Sequence, residues 1–166
     1  MTTMTEASPL RGVALIVRNP NNEIVLVEEL QTKERYGKYA GMFSPPMETC
    51  HDEESDESAL IRLVDEELPG LAEYIVINPE RRGMYQVVPD VWVSLYTGQI
   101  QNLLLPTLDA TSIEIGRHVA EPPTQALTRW LRQGAREMLL DYIADRRKVI
   151  RWECASAALS APRITL

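Results

Sequence analysis

The apolar positions come first as short runs and later at helical spacing, and this order predicts the elements. Residues 13–17, Val-Ala-Leu-Ile-Val, are a branched apolar run that reads as a buried strand. Asn19-Pro-Asn-Asn22 is a turn signal, and the run at 24–27 resumes a strand, so residues 11–28 read as a hairpin. Residues 31–50 hold Gly37, Gly41, Pro45 and Pro46 among polar positions. They read as a long loop with one short strand near 42–44, and loops of this kind are often functional. Residues 56–68 predict a helix. Ser55 caps it, Asp56 and Glu57 suit its dipole, and Ala59, Leu60, Leu63, Val64 and Leu68 form one apolar stripe that Pro69-Gly70 stops.

Further on, strands are predicted at 74–77, 84–88 and 91–97, the last two parted by Pro89-Asp90. Residues 98–123 look irregular apart from a strand near 113–119. After Pro122-Pro123, Leu127, Trp130, Leu131, Ala135, Met138, Leu139, Tyr142 and Ile143 make one side of a long helix ending near Arg147. Residues 1–10 read as a flexible arm and 11–166 as a single domain, because repeats, low-complexity segments and linkers are missing from the sequence. Strands on both sides of a central helix, followed by a terminal helix, predict an α/β (α+β) domain with helices on a mixed sheet.

Composition narrows the class. The 166 residues are 45% hydrophobic and 25% charged, which excludes a disordered chain, a collagen and a coiled-coil rod. The apolar run at 13–17 is too short for a signal segment or a membrane span, so a soluble, cytoplasmic protein is expected, with no membrane partner. Cys50 and Cys154 are too few for a disulfide framework and lack zinc spacing. The net charge of −7 argues against nucleic acid as partner.

That charge is uneven. Residues 48–67 carry nine acids (Glu48, Asp52, Glu53, Glu54, Asp56, Glu57, Asp65, Glu66, Glu67) and one base, Arg62, whereas 129–151 carry seven bases and three acids. Two solvated helices of opposite sign would explain this. An acidic cluster can also hold a hard divalent cation through carboxylate oxygens.

Spacing within the acidic segment favours the second use. Glu54-Ser-Asp-Glu-Ser-Ala-Leu-Ile-Arg62-Leu-Val-Asp-Glu66-Glu67-Leu-Pro-Gly70 resembles the signature of the Nudix hydrolases. That signature reads glycine, five residues, glutamate, seven residues, arginine-glutamate-apolar, one residue, glutamate-glutamate, one residue, glycine-apolar. Glu54, Arg62, Val64, Glu66 and Glu67 match it. Gly41-Met-Phe-Ser-Pro-Pro46 looks like a degraded form of the loop that precedes it. Three positions depart: Glu48 stands for the first glycine, Leu63 for the glutamate after the arginine, and Pro69 for the second glycine.

The resemblance implies an α/β/α sandwich with a mixed sheet and a long C-terminal helix. It implies Mg²⁺ or Mn²⁺ on Glu66 and Glu67, with Arg62 orienting a glutamate and Glu54 supporting the loop–helix geometry. Positions 63 and 67 share a helix face, so Leu63 puts an alkyl group where the family has a third carboxylate. Glu114 and Glu121 are candidates for a replacement acid. The implied activity is metal-dependent attack of water on phosphorus in a nucleoside diphosphate linked to another group, of ADP-ribose or sugar-nucleotide type. The alternative is a catalytically impaired Nudix-fold nucleotide-binding or scaffold module, with Leu63 filling the metal pocket. A nucleotide-derived small molecule is the expected partner in both, and a homodimer is expected by family analogy.

The remaining chemistry-bearing residues have plainer readings. His51 reads as a solvent-facing loop residue, His118 has no evident partner, and Cys50 has no basic neighbour to mark it as a nucleophile. Trp92, Trp130 and Trp152 read as core anchors rather than base-stacking platforms. The basic 129–151 segment reads as a contact surface for the binding module or as a partner for the acidic helix of a second subunit.

Overall fold

The structure, a computed structural model, describes residues 8–103, 105–106 and 114–145. Strand β1 (Leu10–Arg18) turns through Asn19–Asn22 into β2 (Ile24–Glu29). Asn19 shapes the turn: its Oδ1 accepts from the N–H groups of Asn21 and Glu23, both at 3.0 Å. The long loop that follows contains a 3-10 turn (Glu34–Tyr36) and two short strands, β3 (Phe43–Ser44) and β4 (Met47–Thr49). Helix α1 (Asp56–Glu67) begins where expected, with Ser55 Oγ accepting from the Ser58 N–H at 3.2 Å.

The sheet is mixed. Its order is β3-β2-β1-β6-β5, with β4 added to β1 and β7 (Ile115–Glu121) added to β2. Strand β1 runs parallel to β6 (Val91–Ile100), from Leu10 beside Val91 to Arg18 beside Gln99, while the other pairings are antiparallel. Alternation along β1 separates two cores. Val13, Leu15 and Val17 point to Ala59, Leu60, Leu63 and Val64 of α1. Ala14 and Ile16 point to the other face, where they join Ile24, Leu26, Met138 and Leu139. Helices thus cover both faces, as the α/β/α reading expected.

Two expected elements are corrected. The strands predicted at 74–77 and 84–88 are one long strand, β5 (Ile75–Val88), paired with β6 through a register shift between Asn78 and Gly83. A shift of this kind lets the strand pass an Asn-Pro sequence that local pattern reads as a break. The single long C-terminal helix is replaced by a short α2 (Pro123–Ala126) and a separate α3 at residues 135–145. Between them the backbone pairs with the sheet: Phe43 N–H donates to Trp130 O at 2.8 Å, and Arg132 N–H donates to Phe43 O at 2.9 Å. Apolar spacing cannot register such pairing, because backbone groups satisfied on β3 do not alter the side-chain period. Residues 1–7 of the arm, Arg147, Trp152 and Cys154 lie outside the described residues. Trp130 is 58% exposed and Trp92 38%, so neither is a core anchor.

Gly134 turns the chain into α3 at φ +83, and a Cβ there would lie 2.6 Å from Val87 Cγ1, a fully buried contact. Gly134→Ala is expected to cost about 2 kcal/mol, from left-handed strain together with overpacking. A lowered urea midpoint at unchanged slope is the result that checks it.

Candidate active site

Arg62 organises the site. It projects from the middle of α1 towards the preceding loop and meets Glu54 in a fork: Nε donates to Oε1 at 3.2 Å and Nη2 to Oε2 at 2.9 Å. Nη2 also donates to the Thr49 carbonyl at 2.7 Å, and Nη1 lies 3.2 Å from Glu48 Oε1 and 4.0 Å from Glu66 Oε2. Glu54 in turn accepts from the His51 N–H at 2.7 Å. These bonds hold the Glu54 carboxyl at a pKa of about 2, the Arg62 hydrogen bond being the largest cause and the His51 N–H the next. They also tie β4 and the acidic loop to the helix.

Beside this knot lies a cavity of about 380 Å³, whose lining includes Glu48, Glu66 and Glu67. Glu67 Oε2 accepts from the Met47 N–H at 2.9 Å, which fixes the carboxyl against the start of β4. Burial raises the Glu67 pKa well above the usual carboxylate value, and the nearby Glu29 and Glu48 raise it further. Glu66 is also raised, first by desolvation and then by Glu48. The pocket therefore concentrates negative charge that its own cations only partly balance.

Leu63 does not enter this pocket. It is fully buried with Val13, Leu15 and Val17 beneath α1, which corrects the expectation that it fills the metal position. Glu48 faces the cavity instead. The sequence registered Glu48 as a departure from the signature, and its position on β4 shows that this departure brings in a carboxylate.

The cavity also has a basic lining, which was not anticipated. Lys33, Lys38 and Arg132 line it. Glu29, 4% exposed, joins two of them: Lys38 Nζ donates to Oε2 at 3.0 Å and Arg132 Nη1 to Oε1 at 3.4 Å. Arg132 also donates twice to the Tyr36 carbonyl, from Nη2 at 3.0 Å and from Nε at 3.3 Å. Glu29 ends an apolar strand and Arg132 lies about a hundred residues later. Only the tertiary contact joins them, so the sequence carried no signal for the cluster.

Other flagged residues separate cleanly. Glu114 lines the cavity, where Lys33 pairs with it and lowers its pKa. Glu121 is buried elsewhere, held by Arg129 Nε at 2.7 Å and Nη2 at 3.1 Å. His118, expected to lack a partner, has Nε2 2.6 Å from the Glu67 carbonyl, and burial lowers its pKa. The basic 129–151 segment is used internally in part, since Arg129 and Arg132 both bind buried carboxylates. A larger concavity of about 550 Å³, lined by Arg18, Ile77, Arg82, Tyr142 and Asp145 among others, has no carboxylate cluster among its described lining.

Known structures decide the fold. A mutT/nudix family protein from Listeria innocua superposes with a TM-score of 0.65 at 19% identity, over 89% of this chain and 99% of that one. This chain has the Nudix fold. An Ap4A hydrolase from C. elegans, crystallised as a binary complex, gives 0.64 at 14% identity, over 82% and 98%. The Nudix domain of Shewanella oneidensis NrtR, complexed with ADP ribose, gives 0.61 at 12%, over 87% and 93%. No family model matches the sequence, nor does any curated protein. The Nudix fold thus persists here at an identity where only the spacing of Glu54, Arg62, Glu66 and Glu67 remains to mark it.

The Glu54–Arg62 knot predicts a pH dependence. The Glu54 pKa falls from 4.5 to about 2 on folding. Its contribution to stability is therefore complete above pH 4.5 and is lost as the pH falls towards about 2. Denaturant midpoints measured through this window are expected to fall more steeply for the native chain than for Glu54→Gln. Parallel curves would show that the knot does not couple to folding.

Proposed function

We propose that the protein is a divergent Nudix-type hydrolase that cleaves the diphosphate bond of a nucleoside diphosphate linked to another group, in the presence of Mg²⁺ or Mn²⁺. The observation that carries this reading is the gathering of Glu48, Glu66 and Glu67 in the lining of one cavity with Lys33, Lys38 and Arg132. The structures of the Ap4A hydrolase and of the ADP-ribose complex support a nucleotide-derived substrate.

The donor set suits a hard divalent ion. Carboxylate oxygens are its preferred ligands, and Mg²⁺ is ordinarily held by one or two of them with substrate phosphates and waters completing the shell. Among the described residues no group of three or more His, Cys, Asp or Glu side chains is placed to hold a metal ion. An open site is what a substrate-completed shell requires. Glu66 and Glu67 would hold the ion, with substrate phosphates and waters completing its shell. When bound, the ion offsets charge that builds on the phosphate oxygens.

The chain's own residues perform the remaining tasks. Arg62 holds Glu48 and Glu66 at the cavity edge, and Glu54 fixes Arg62. Lys33, Lys38 and Arg132, in the same cavity, neutralise phosphate charge. Water attacks phosphorus as the bond from phosphorus to the bridging oxygen breaks, and the leaving phosphate carries away the electron pair. The water's proton passes to a pocket carboxylate. Glu114 is poorly suited to accept it, because Lys33 stabilises its ionised form.

Phosphate or mononucleotide release should be measured across nucleoside triphosphates, dinucleotides, ADP-ribose and sugar nucleotides with each metal. Turnover is expected on at least one of them, and Glu66→Gln/Glu67→Gln should lower kcat by about 10²-fold or more. Mg²⁺ with the preferred nucleotide should also raise the Tm of the native chain but not of this variant. Absence of both effects would leave the nucleotide-binding module as the reading.

Leu63→Glu is not expected to improve activity. It buries a carboxyl among aliphatic side chains and should destabilise the fold by roughly 3 kcal/mol or more, seen as a lowered urea midpoint. A stable, more active Leu63→Glu would overturn the reading of Leu63 as a core residue rather than a site residue.

A further inference from the structure

Glu67 is held from two strands. Met47 N–H of β4 donates to its carboxylate at 2.9 Å, and His118 Nε2 of β7 lies 2.6 Å from its main-chain carbonyl. That carbonyl belongs to the last residue of α1, where helical partners run out. Leu71 N–H donates to Leu68 O at 3.1 Å rather than back to Glu67, and the last turn of α1 carries no basic residue of its own. A carbonyl only accepts, so His118 donates to it and Nε2 carries the proton. His118 Nδ1 is buried and has no partner among the described residues. A proton there would be a buried donor without an acceptor, so the ring is held as the neutral Nε2–H tautomer. The ring follows a bulge in β7. Val27 stands beside His118 and Glu29 beside Ile115, two steps on β2 against three on β7. Such a bulge re-aims the side chains next to it. Glu114 precedes it and lines the cavity, and His118 follows it and reaches α1.

We infer that His118 is a positioning residue: by holding the Glu67 carbonyl it fixes the end of α1 and so sets the Glu67 carboxylate against β4 in the cavity. A helix end whose carbonyls lack partners frays. Fraying at Glu67 would carry its carboxylate away from the Met47 N–H. With carbonyl and carboxylate both tied, neither the backbone nor the side chain of Glu67 turns alone. Groups that orient a metal-binding carboxylate change metal affinity by about 10–100-fold when they are removed. A residue that only filled space beside α1 would be replaced by another ring. A residue that acts as a donor is replaced by glutamine, whose Nε2 reaches a comparable position. The inference rests on the hydrolase reading only for what the Glu67 carboxylate holds.

The full chain tests this without metal or nucleotide. In the native protein, nitrogen-15 shifts of the His118 ring should place the proton on Nε2, and a proton on Nδ1 would overturn the inference. His118→Phe keeps a ring and removes the donor, whereas His118→Gln restores one; His118→Met serves if the larger ring is not accommodated. Hydrogen exchange at the Met47 N–H, which donates to Glu67, should quicken by about tenfold in His118→Phe and by less than about twofold in His118→Gln. Both are read relative to the amides of β6 paired with β1, which removes any general loss of stability. Unchanged Met47 exchange in His118→Phe, or equal acceleration in both variants, would overturn the positioning role. With a nucleotide that the native chain turns over, His118→Phe should raise the Mg²⁺ concentration for half-maximal rate by about tenfold at unchanged nucleotide KM, and His118→Gln should not. A Mg²⁺ requirement equal to that of the native chain would overturn the inference. Faster Met47 exchange in His118→Phe, with no turnover by the native chain on any substrate, would uphold the role of His118 and remove the hydrolase reading.

Discussion

Arg62 reaches back from α1 to Glu54, Glu48 and the Thr49 carbonyl, and the cavity depends on that reach. The loop between β4 and α1 is acidic and would repel itself without a cation inside it. A guanidinium is the suitable cation, because its planar fork binds one carboxylate with two donors and still has donors for other partners. With the loop secured, β4 pairs with β1 from Gly12 to Ala14, and Glu48 is carried to the cavity. Glu66 and Glu67 follow from the same helix one turn later. The carboxylate wall and its support are therefore products of one side chain's geometry.

The basic wall is built differently. Its cations come from the loop after β2 and from the segment before α3, and they are joined by the nearly inaccessible Glu29. A buried carboxylate is tolerated only when its lone pairs are occupied and its charge is matched. Glu29 meets both conditions with Lys38 and Arg132. The two walls also sense each other: Glu29 raises the Glu67 pKa while Arg132 lowers it. This opposition keeps a concentrated acidic wall compatible with a folded chain.

Legibility in the sequence followed how local each cause was. The turn at Asn19–Asn22, the Ser55 cap and the apolar stripe of α1 are set by residues within one turn of each other, and they formed as expected. The Glu54–Arg62 spacing was legible through the resemblance to a family signature, but the forked pair the two side chains make was seen only in the structure. The single C-terminal helix failed because Trp130 and Arg132 bond to Phe43 on the sheet, a partner some ninety residues away. Leu63 shows the limit of spacing arguments. Its place in the signature pointed to the metal site, but burial among Val13, Leu15 and Val17 settled its role.

By itself, then, the sequence determined an α/β chain with its helix stripe, its turn and an arginine–glutamate spacing, because short-range sterics and periodicity dictate those features. The tertiary structure alone decided that Glu48 joins Glu66 and Glu67, that Glu114 enters the cavity while Glu121 does not, and that Lys33, Lys38 and Arg132 share that cavity with the carboxylates. Each of these depends on strands and loops distant in the chain packing side by side, and charge at a distance becomes chemistry only when packing removes the water between.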